Sequence, residues 1–288
     1  MSDINTTIIY RPSWEVGRPE QCSEITPDAV RARIRSFYDC VNETLADGDF
    51  GQYAYFLNYG YVADDSPQYS SVELPAQYVN RNSTKLILEV VGDCVLTGRI
   101  VLDVGCGRGG TIHTIHTFFQ PAHMSGCDLS PKAIEFCQKT HRMPNVSFQV
   151  GSADNLPFPD ASFDVVTNVE SSHCYPDIEA FYREVFRVLR PDGHFLYTDV
   201  FLSEKIATCL SLLKKTGFNM LRGRDITANV LQSCRQVAIM QLNAYGEGLG
   251  SQIMSEFVSA PGSQIYEDMV SGYKLYQIFK LRKMQRKS

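Results

Sequence analysis

The chain has 288 residues, 44% hydrophobic and 20% charged, which suits one full α/β core with additions rather than two large domains. A formal charge of −5 argues against a nucleic-acid-binding surface, and no run approaches the roughly 18 apolar residues of a membrane span. Met1 to Pro12 lacks the basic start and apolar core of an export signal, and nine cysteines without a Cys-x-x-Cys pair fit reduced thiols, so a cytoplasmic protein is expected, without nucleic-acid partner or stable membrane insertion.

Residues 1–90 are expected to form a helical cover, and residues 91–288 the main domain. From Arg99 onward, short β-rich runs alternate with amphipathic helices, the pattern of a doubly wound sheet. Arg99 to Val104 is the first strand. Thr111 to Phe119 reads as a helix with Ile112, Ile115 and Phe118 inward, beside which His113 and His116 read as surface histidines because no further ligand completes a metal set. The second strand is Met124 to Leu129, and Ser130-Pro131 supplies an N-cap and a first-turn proline for a helix ending before Pro144. Val146 to Gly151 and Phe163 to Val169 are strands three and four, the latter almost continuously apolar, as a buried parallel strand should be.

A helix is expected from Asp177 to Arg190, stopped by Pro191-Asp192-Gly193, then a fifth strand from His194 to Phe201. The helix Ser203 to Thr216 leads to a sixth strand at Phe218 to Leu221, and Tyr273 to Leu281 makes the seventh. The stretch of about 225–271 between them is too long for a loop and reads as a helical insert. The basic end, Lys280 to Lys287, reads as a solvated tail. The expected fold is a Rossmann-like, mostly parallel seven-stranded sheet with helices on both faces, an N-terminal helical cover and a helical insert near the C-terminus.

The loop Gly105-Cys106-Gly107-Arg108-Gly109-Gly110 follows strand one and opens a helix, so bare backbone N–H groups and the positive end of the helix can meet a ligand. Gly105, Gly107 and Gly110 also satisfy the dinucleotide pattern Gly-x-Gly-x-x-Gly, which is weak by itself. Asp103, two residues before the first glycine, is placed for a cationic amino group, which points to S-adenosylmethionine more than to NAD. Asp128, 25 residues on, closes strand two where an acid commonly takes ribose hydroxyls, with Leu129 beside it; a helix-cap partner near Ser130-Pro131 is the alternative. After strand three, Asp154 can accept from an adenine amino group while the N–H of Ala153 or Asp154 meets a ring nitrogen; an ordinary turn is the alternative.

The segments Asp103-Val104-Gly105-Cys106-Gly107, Asp128-Leu129, Ala153 to Phe158 and Ser162 to Val166 closely resemble class I S-adenosylmethionine-dependent methyltransferases over about residues 99–200. Cys137 to Arg142, Val169-Glu170-Ser171-Ser172-His173-Cys174-Tyr175-Pro176 and Arg187 to Pro191 resemble the phthiotriol and phenolphthiotriol dimycocerosate O-methyltransferases and related lipid and polyketide tailoring enzymes. The resemblance implies S-adenosylmethionine as cofactor, no metal, and an apolar small-molecule acceptor, free or carrier-tethered. It also implies a base at His173, whose ordinary pKa suits that task, with a capping or packing histidine before Pro176 as the alternative. Glu170 would order a substrate hydroxyl, orient His173 or hold the cofactor, with a structural role as the alternative. The run Tyr53-Ala54-Tyr55-Phe56-Leu57-Asn58-Tyr59-Gly60-Tyr61 resembles the segment that closes over the methionine end of the cofactor, with Tyr59 and Tyr61 near the sulfonium and Val169 at the end of strand four; a strand or helix packing patch is the alternative. The expected reaction is O-methylation of a hydroxyl. C-methylation of a sterol-like or prenyl-derived acceptor, a non-catalytic S-adenosylmethionine-binding regulatory subunit, and an NAD-linked oxidoreductase lacking its Tyr-x-x-x-Lys pair are the alternatives.

Overall fold

The structure, a computed structural model, describes residues 26–46, 54–245 and 259–284. Seven strands form one sheet: β1 Ile100–Val104, β2 His123–Asp128, β3 Val146–Val150, β4 Phe163–Val169, β5 Leu189–Leu202, β6 Phe218–Asp225 and β7 Lys274–Lys283. Their order is β3-β2-β1-β4-β5-β7-β6, with β7 antiparallel to both of its neighbours and the other pairs parallel. Side chains alternate across this sheet. Val101, Val165 and Leu196 enter one buried cluster, and Leu102, Val166 and Phe195 enter the cluster on the other face.

The helices are α1 Pro27–Ala46, α2 Arg81–Val91, α3 Gly110–Phe119, α4 Pro131–Thr140, α5 Ile178–Val188, α6 Ile206–Thr216, α7 Thr227–Tyr245 and α8 Gln264–Val270. The expected division at 90/91 falls on the last turn of α2, whose Leu86, Ile87 and Val90 are fully buried. Ser130 caps α4 by accepting the N–H of Ala133, and Asp177 caps α5 by accepting that of Ala180. Helix α5 ends two residues earlier than its pattern suggests, because Leu189 turns extended and pairs with Phe163 before Pro191 is reached. Strand β6 runs four residues beyond Leu221, since the antiparallel ladder to β7 continues to Asp225 opposite Gln277. Helices α7 and α8 lie within the expected insert, whose residues 246–258 fall outside those described.

His113 and His116 are half-buried rather than on the surface: the first ring packs against Tyr55 and His141, and Nε2 of the second meets Asn145 Oδ1 at 2.9 Å. Among the described residues no cluster of His, Cys, Asp or Glu is arranged to hold a metal, and no helix is long and apolar enough to cross a membrane.

Candidate active site

The carboxyl ends of β1, β2, β3 and β4 open onto a cleft between the glycine loop, α1 and residues 55–59. The turn after β1 is possible because Gly105, Gly107 and Gly109 have φ of 69°, 50° and 82°. A Cβ on Gly105 would lie 2.3 Å from Ser171 Oγ, so only glycine fits where the chain after β4 crosses the loop. Asp128 holds the loop from β2: Oδ2 accepts the Gly107 N–H at 2.9 Å and Oδ1 that of Ser130 at 2.9 Å. Burial pushes the Asp128 carboxyl above its ordinary pKa, and these two donors counter it.

Asp154 receives Arg31 Nη1 and Ser152 Oγ, each at 2.5 Å, so α1 is tied to the β3 end of the cleft. A second tie comes from Arg108, buried in the glycine loop. Its Nε donates to Ala54 O at 2.5 Å and its Nη1 to Asn42 Oδ1 at 3.1 Å, while the guanidinium lies 3.6 Å over the Phe136 ring.

Of the residues expected at the site, Tyr59, Gly105, Gly107, Asp128, Leu129, Ala153, Asp154, Val169, Glu170 and His173 line this one cleft. Two do not. Asp103 lies under the floor, 1% exposed, with Oδ1 accepting from Thr167 Oγ1 at 2.7 Å and Oδ2 without a hydrogen-bond partner. Its carboxyl is pushed up to about 7 by burial, so it is costly to ionise in the absence of a nearby cation. Tyr61 points into the core: it is fully buried, donates to Gln68 Oε1 at 2.5 Å and accepts from Arg224 Nη2 at 3.0 Å. The step from Tyr59 to Tyr61 passes through Gly60 at φ 78°, which turns the second ring away from the first. Tyr53, in the same run, lies outside the described residues.

After β4 the chain turns sharply. Glu170 sits at φ 55°, an uncommon conformation for a non-glycine residue, and its backbone N–H still bonds Thr198 O at 2.9 Å on β5. This carries Ser172 and His173 across Asp199, the next residue of β5. Asp199 is fully buried and accepts His173 Nδ1 at 2.7 Å on Oδ1, the Val200 N–H at 2.8 Å on Oδ1, and Ser172 Oγ at 2.5 Å and the His173 N–H at 3.1 Å on Oδ2. With Nδ1 as donor to the carboxylate, Nε2 is the nitrogen left for a ligand in the cleft. Burial opposes the imidazolium, but neighbouring Cys174 and the Asp199 carboxylate together override it, and the pKa of His173 stands well above its usual range. Sequence reasoning missed Asp199. The available signal was one acid within the run Phe195 to Leu202, in which Thr198 is the other polar aliphatic residue, and a buried acid demands a partner. Arg31, Tyr38 and Tyr276 carried no comparable local signal.

A backbone cradle before α3, carboxylates at successive strand ends and a buried half-satisfied acid beneath suit a ligand bearing hydroxyls and a positive charge. Residues 102–197 match the family model described as "Methyltransferase domain". The phthiotriol/phenolphthiotriol dimycocerosates methyltransferase of Mycobacterium tuberculosis is 36% identical over 234 residues, covering 78% of this chain and 83% of that protein. A fatty-acid O-methyltransferase of Mycolicibacterium smegmatis is 34% identical over 226 residues, covering 78% and 81%. The crystal structure of geranyl diphosphate C-methyltransferase from Streptomyces coelicolor with S-adenosyl-L-homocysteine shares the fold, with TM-score 0.64 at 18% identity over 91% of this chain and 100% of that one. By its sequence relatives, its fold and the donor set of its cleft, the chain belongs to the class I S-adenosylmethionine-dependent methyltransferases.

Proposed function

We propose that the protein methylates a hydroxyl oxygen of an apolar small molecule, polyketide or lipid-like, with His173 as the base. The observation that carries this reading is the bond from His173 Nδ1 to a buried carboxylate, in a cleft that also contains the glycine loop and Asp128. Support for the acceptor class comes from the relatives, which are named for phthiotriol and phenolphthiotriol dimycocerosates and for fatty acids.

When bound, S-adenosylmethionine supplies an electrophilic methyl group on a sulfonium. Asp128 and Leu129 would hold the ribose, Ala153 and Asp154 the adenine, and Gly105 and Gly107 the methionine end. Asp103 would act from below that end, its unpartnered Oδ2 answering the amino group through the floor of the cleft rather than as a lining residue. Tyr59 and Val169 would bound the sulfonium end, with residues 1–90 as the cover. His173 Nε2 would take the hydroxyl proton as the new C–O bond forms, and Asp199 would hold the ring in the one tautomer able to do so. Glu170 would keep the cover seated through the Tyr59 N–H.

The test is product analysis with S-adenosylmethionine and paired acceptors of similar apolar body: a phenol, a long-chain alcohol, a fatty acid and a prenyl diphosphate. Methyl ether formation from the phenol or alcohol, lost in His173→Asn, is expected. A methyl group found on carbon would replace this reading with the C-methyltransferase one.

A further inference from the structure

The Asp199 carboxylate sits at the end of a chain of hydroxyls whose direction is forced. Ser172 Oγ gives its single hydrogen to Asp199 Oδ2 at 2.5 Å, so in its 2.5 Å contact with Tyr197 Oη it must accept. Tyr197 has then used its hydrogen, and in its 3.3 Å contact with Tyr182 Oη it accepts in turn. Three hydroxyl dipoles therefore point their positive ends, one behind another, toward Asp199. All four residues are buried: Asp199, Tyr197 and Tyr182 fully, Ser172 to 4% exposure. Burial also raises both phenols above their ordinary pKa, so they stay neutral donors throughout the working range of pH.

The arrangement follows from the fold. Tyr197 and Asp199 are two residues apart on β5 and so face the same side of the sheet, where Tyr182 of α5 packs against Tyr197 at a ring separation of 6.0 Å. An apolar core would be served as well by phenylalanine at 182 and 197. The two hydroxyls are instead aligned on the acid that holds His173.

We propose that the Tyr182–Tyr197–Ser172 chain is a positioning device for the base: by drawing part of the Asp199 charge away from His173, it lets the imidazolium release its proton. The inference rests on the reading of His173 as base. In a site dry enough to bury Asp199 completely, a carboxylate answered only by the backbone N–H groups of Val200 and His173 would hold the imidazolium too tightly for it to serve. Hydrogens aimed at Asp199 lower that hold, and being fixed by packing they do so without reorganising. The other groups facing His173 are Glu170 at the end of β4 and Cys174, whose Sγ is 3.5 Å from Tyr38 Oη of α1. Asp199 is also felt by Tyr276 of β7, Tyr175, and Cys209 of α6, none of which donates to it.

The experiment is a nitrogen-detected NMR titration of the ring of His173 in the full chain, assigned by loss of its signal in His173→Asn. Tyr197→Phe should raise the His173 midpoint by about half a unit, roughly a threefold change in its proton equilibrium. The ascending limb of kcat against pH should move up by the same amount, with KM for S-adenosylmethionine unchanged. In an Asp199→Asn background, Tyr197→Phe should leave the midpoint where it is. Ser172→Ala, which removes the donor in contact with the carboxylate, serves if Tyr197→Phe does not fold and should shift the midpoint in the same direction. An unmoved or lowered midpoint in a folded variant overturns the proposal. A raised midpoint with an unmoved kcat profile supports the action of the chain on His173 and instead removes His173 as the base.

Discussion

Glu170 accepts the backbone N–H of Tyr59 on Oε2 at 2.9 Å, across 111 positions of sequence, and the same oxygen takes the Tyr276 hydroxyl at 2.7 Å. One carboxyl thereby joins the end of β4, the covering segment and β7. Burial pushes its pKa up to about 8, against donors that favour the charged form, so at neutral pH it is mostly the neutral acid.

The folded state therefore keeps a proton that the unfolded chain releases above its ordinary carboxylate pKa, and stability due to this group is lost as pH rises from about 4.5 to about 8. Glu170→Gln, neutral at every pH, should gain stability relative to the wild type across that window and hold a constant difference above it. Urea unfolding at pH 5, 7 and 9 checks this. A difference that does not change with pH would mean that the carboxyl ionises normally in the fold.

Asp128→Ala should weaken S-adenosylhomocysteine binding by about tenfold or more, since each hydrogen bond that a ribose hydroxyl donates to a carboxylate is worth about 1.5–3 kcal/mol. Calorimetry on a variant shown to be folded is the measurement. Part of the loss would come from freeing the Gly107 and Ser130 N–H groups that Asp128 now holds. Unchanged affinity would remove Asp128 from the cofactor site.

His173→Ala and His173→Asn should lose about 10²- to 10⁴-fold in single-turnover methylation while keeping cofactor affinity within a few-fold. With an alcohol acceptor, raising the pH should restore part of the His173→Ala rate, because hydroxide can take the proton. Wild-type activity should rise with pH through a limb above the ordinary histidine range, since Asp199 stabilises the imidazolium and the base works only once deprotonated. Full activity in both variants would sink the base assignment; loss of cofactor binding would move His173 into the cofactor site.

Hydrogen exchange should separate the two tyrosines of the covering segment. If residues 55–59 close over the cofactor, amides near Asn58 and Tyr59 should slow when S-adenosylhomocysteine is added. Tyr61, whose N–H bonds Asn82 O at 2.9 Å in the core, should exchange slowly with or without ligand. Identical exchange at Tyr59 in both states would leave the segment as packing only.

What the sequence determined by itself lay in short-range patterns. Strand and helix follow from periods of two and 3.6, which short windows display, so the seven strands and the helices α3 to α6 could be located between Arg99 and Leu281; but β5 starts five residues before His194, and β7 runs on to Lys283 into the basic end read as a solvated tail. The loop from Gly105 to Gly110, and the acids Asp128 and Asp154 at strand ends, were legible because an α/β sheet collects its strand ends on one edge whatever the packing above it. The cofactor-binding roles proposed for them rest on that position and on family resemblance together.

Tertiary structure decided everything that depends on contact between distant segments. Asp199 became the partner of His173 only because β5 pairs with β4 in the register Val169 to Thr198, a fact that no local pattern encodes. Alternation along β5 puts Tyr197 and Asp199 on one face, but only the left-handed turn at Glu170 set His173 above them. Asp103 and Tyr61 show the converse. Both belong to segments that reach the cleft, yet the pleat at Asp103 and the turn at Gly60 send their side chains elsewhere. A side chain's direction is set by backbone dihedrals and by what fills the neighbouring space, and both are properties of the folded chain.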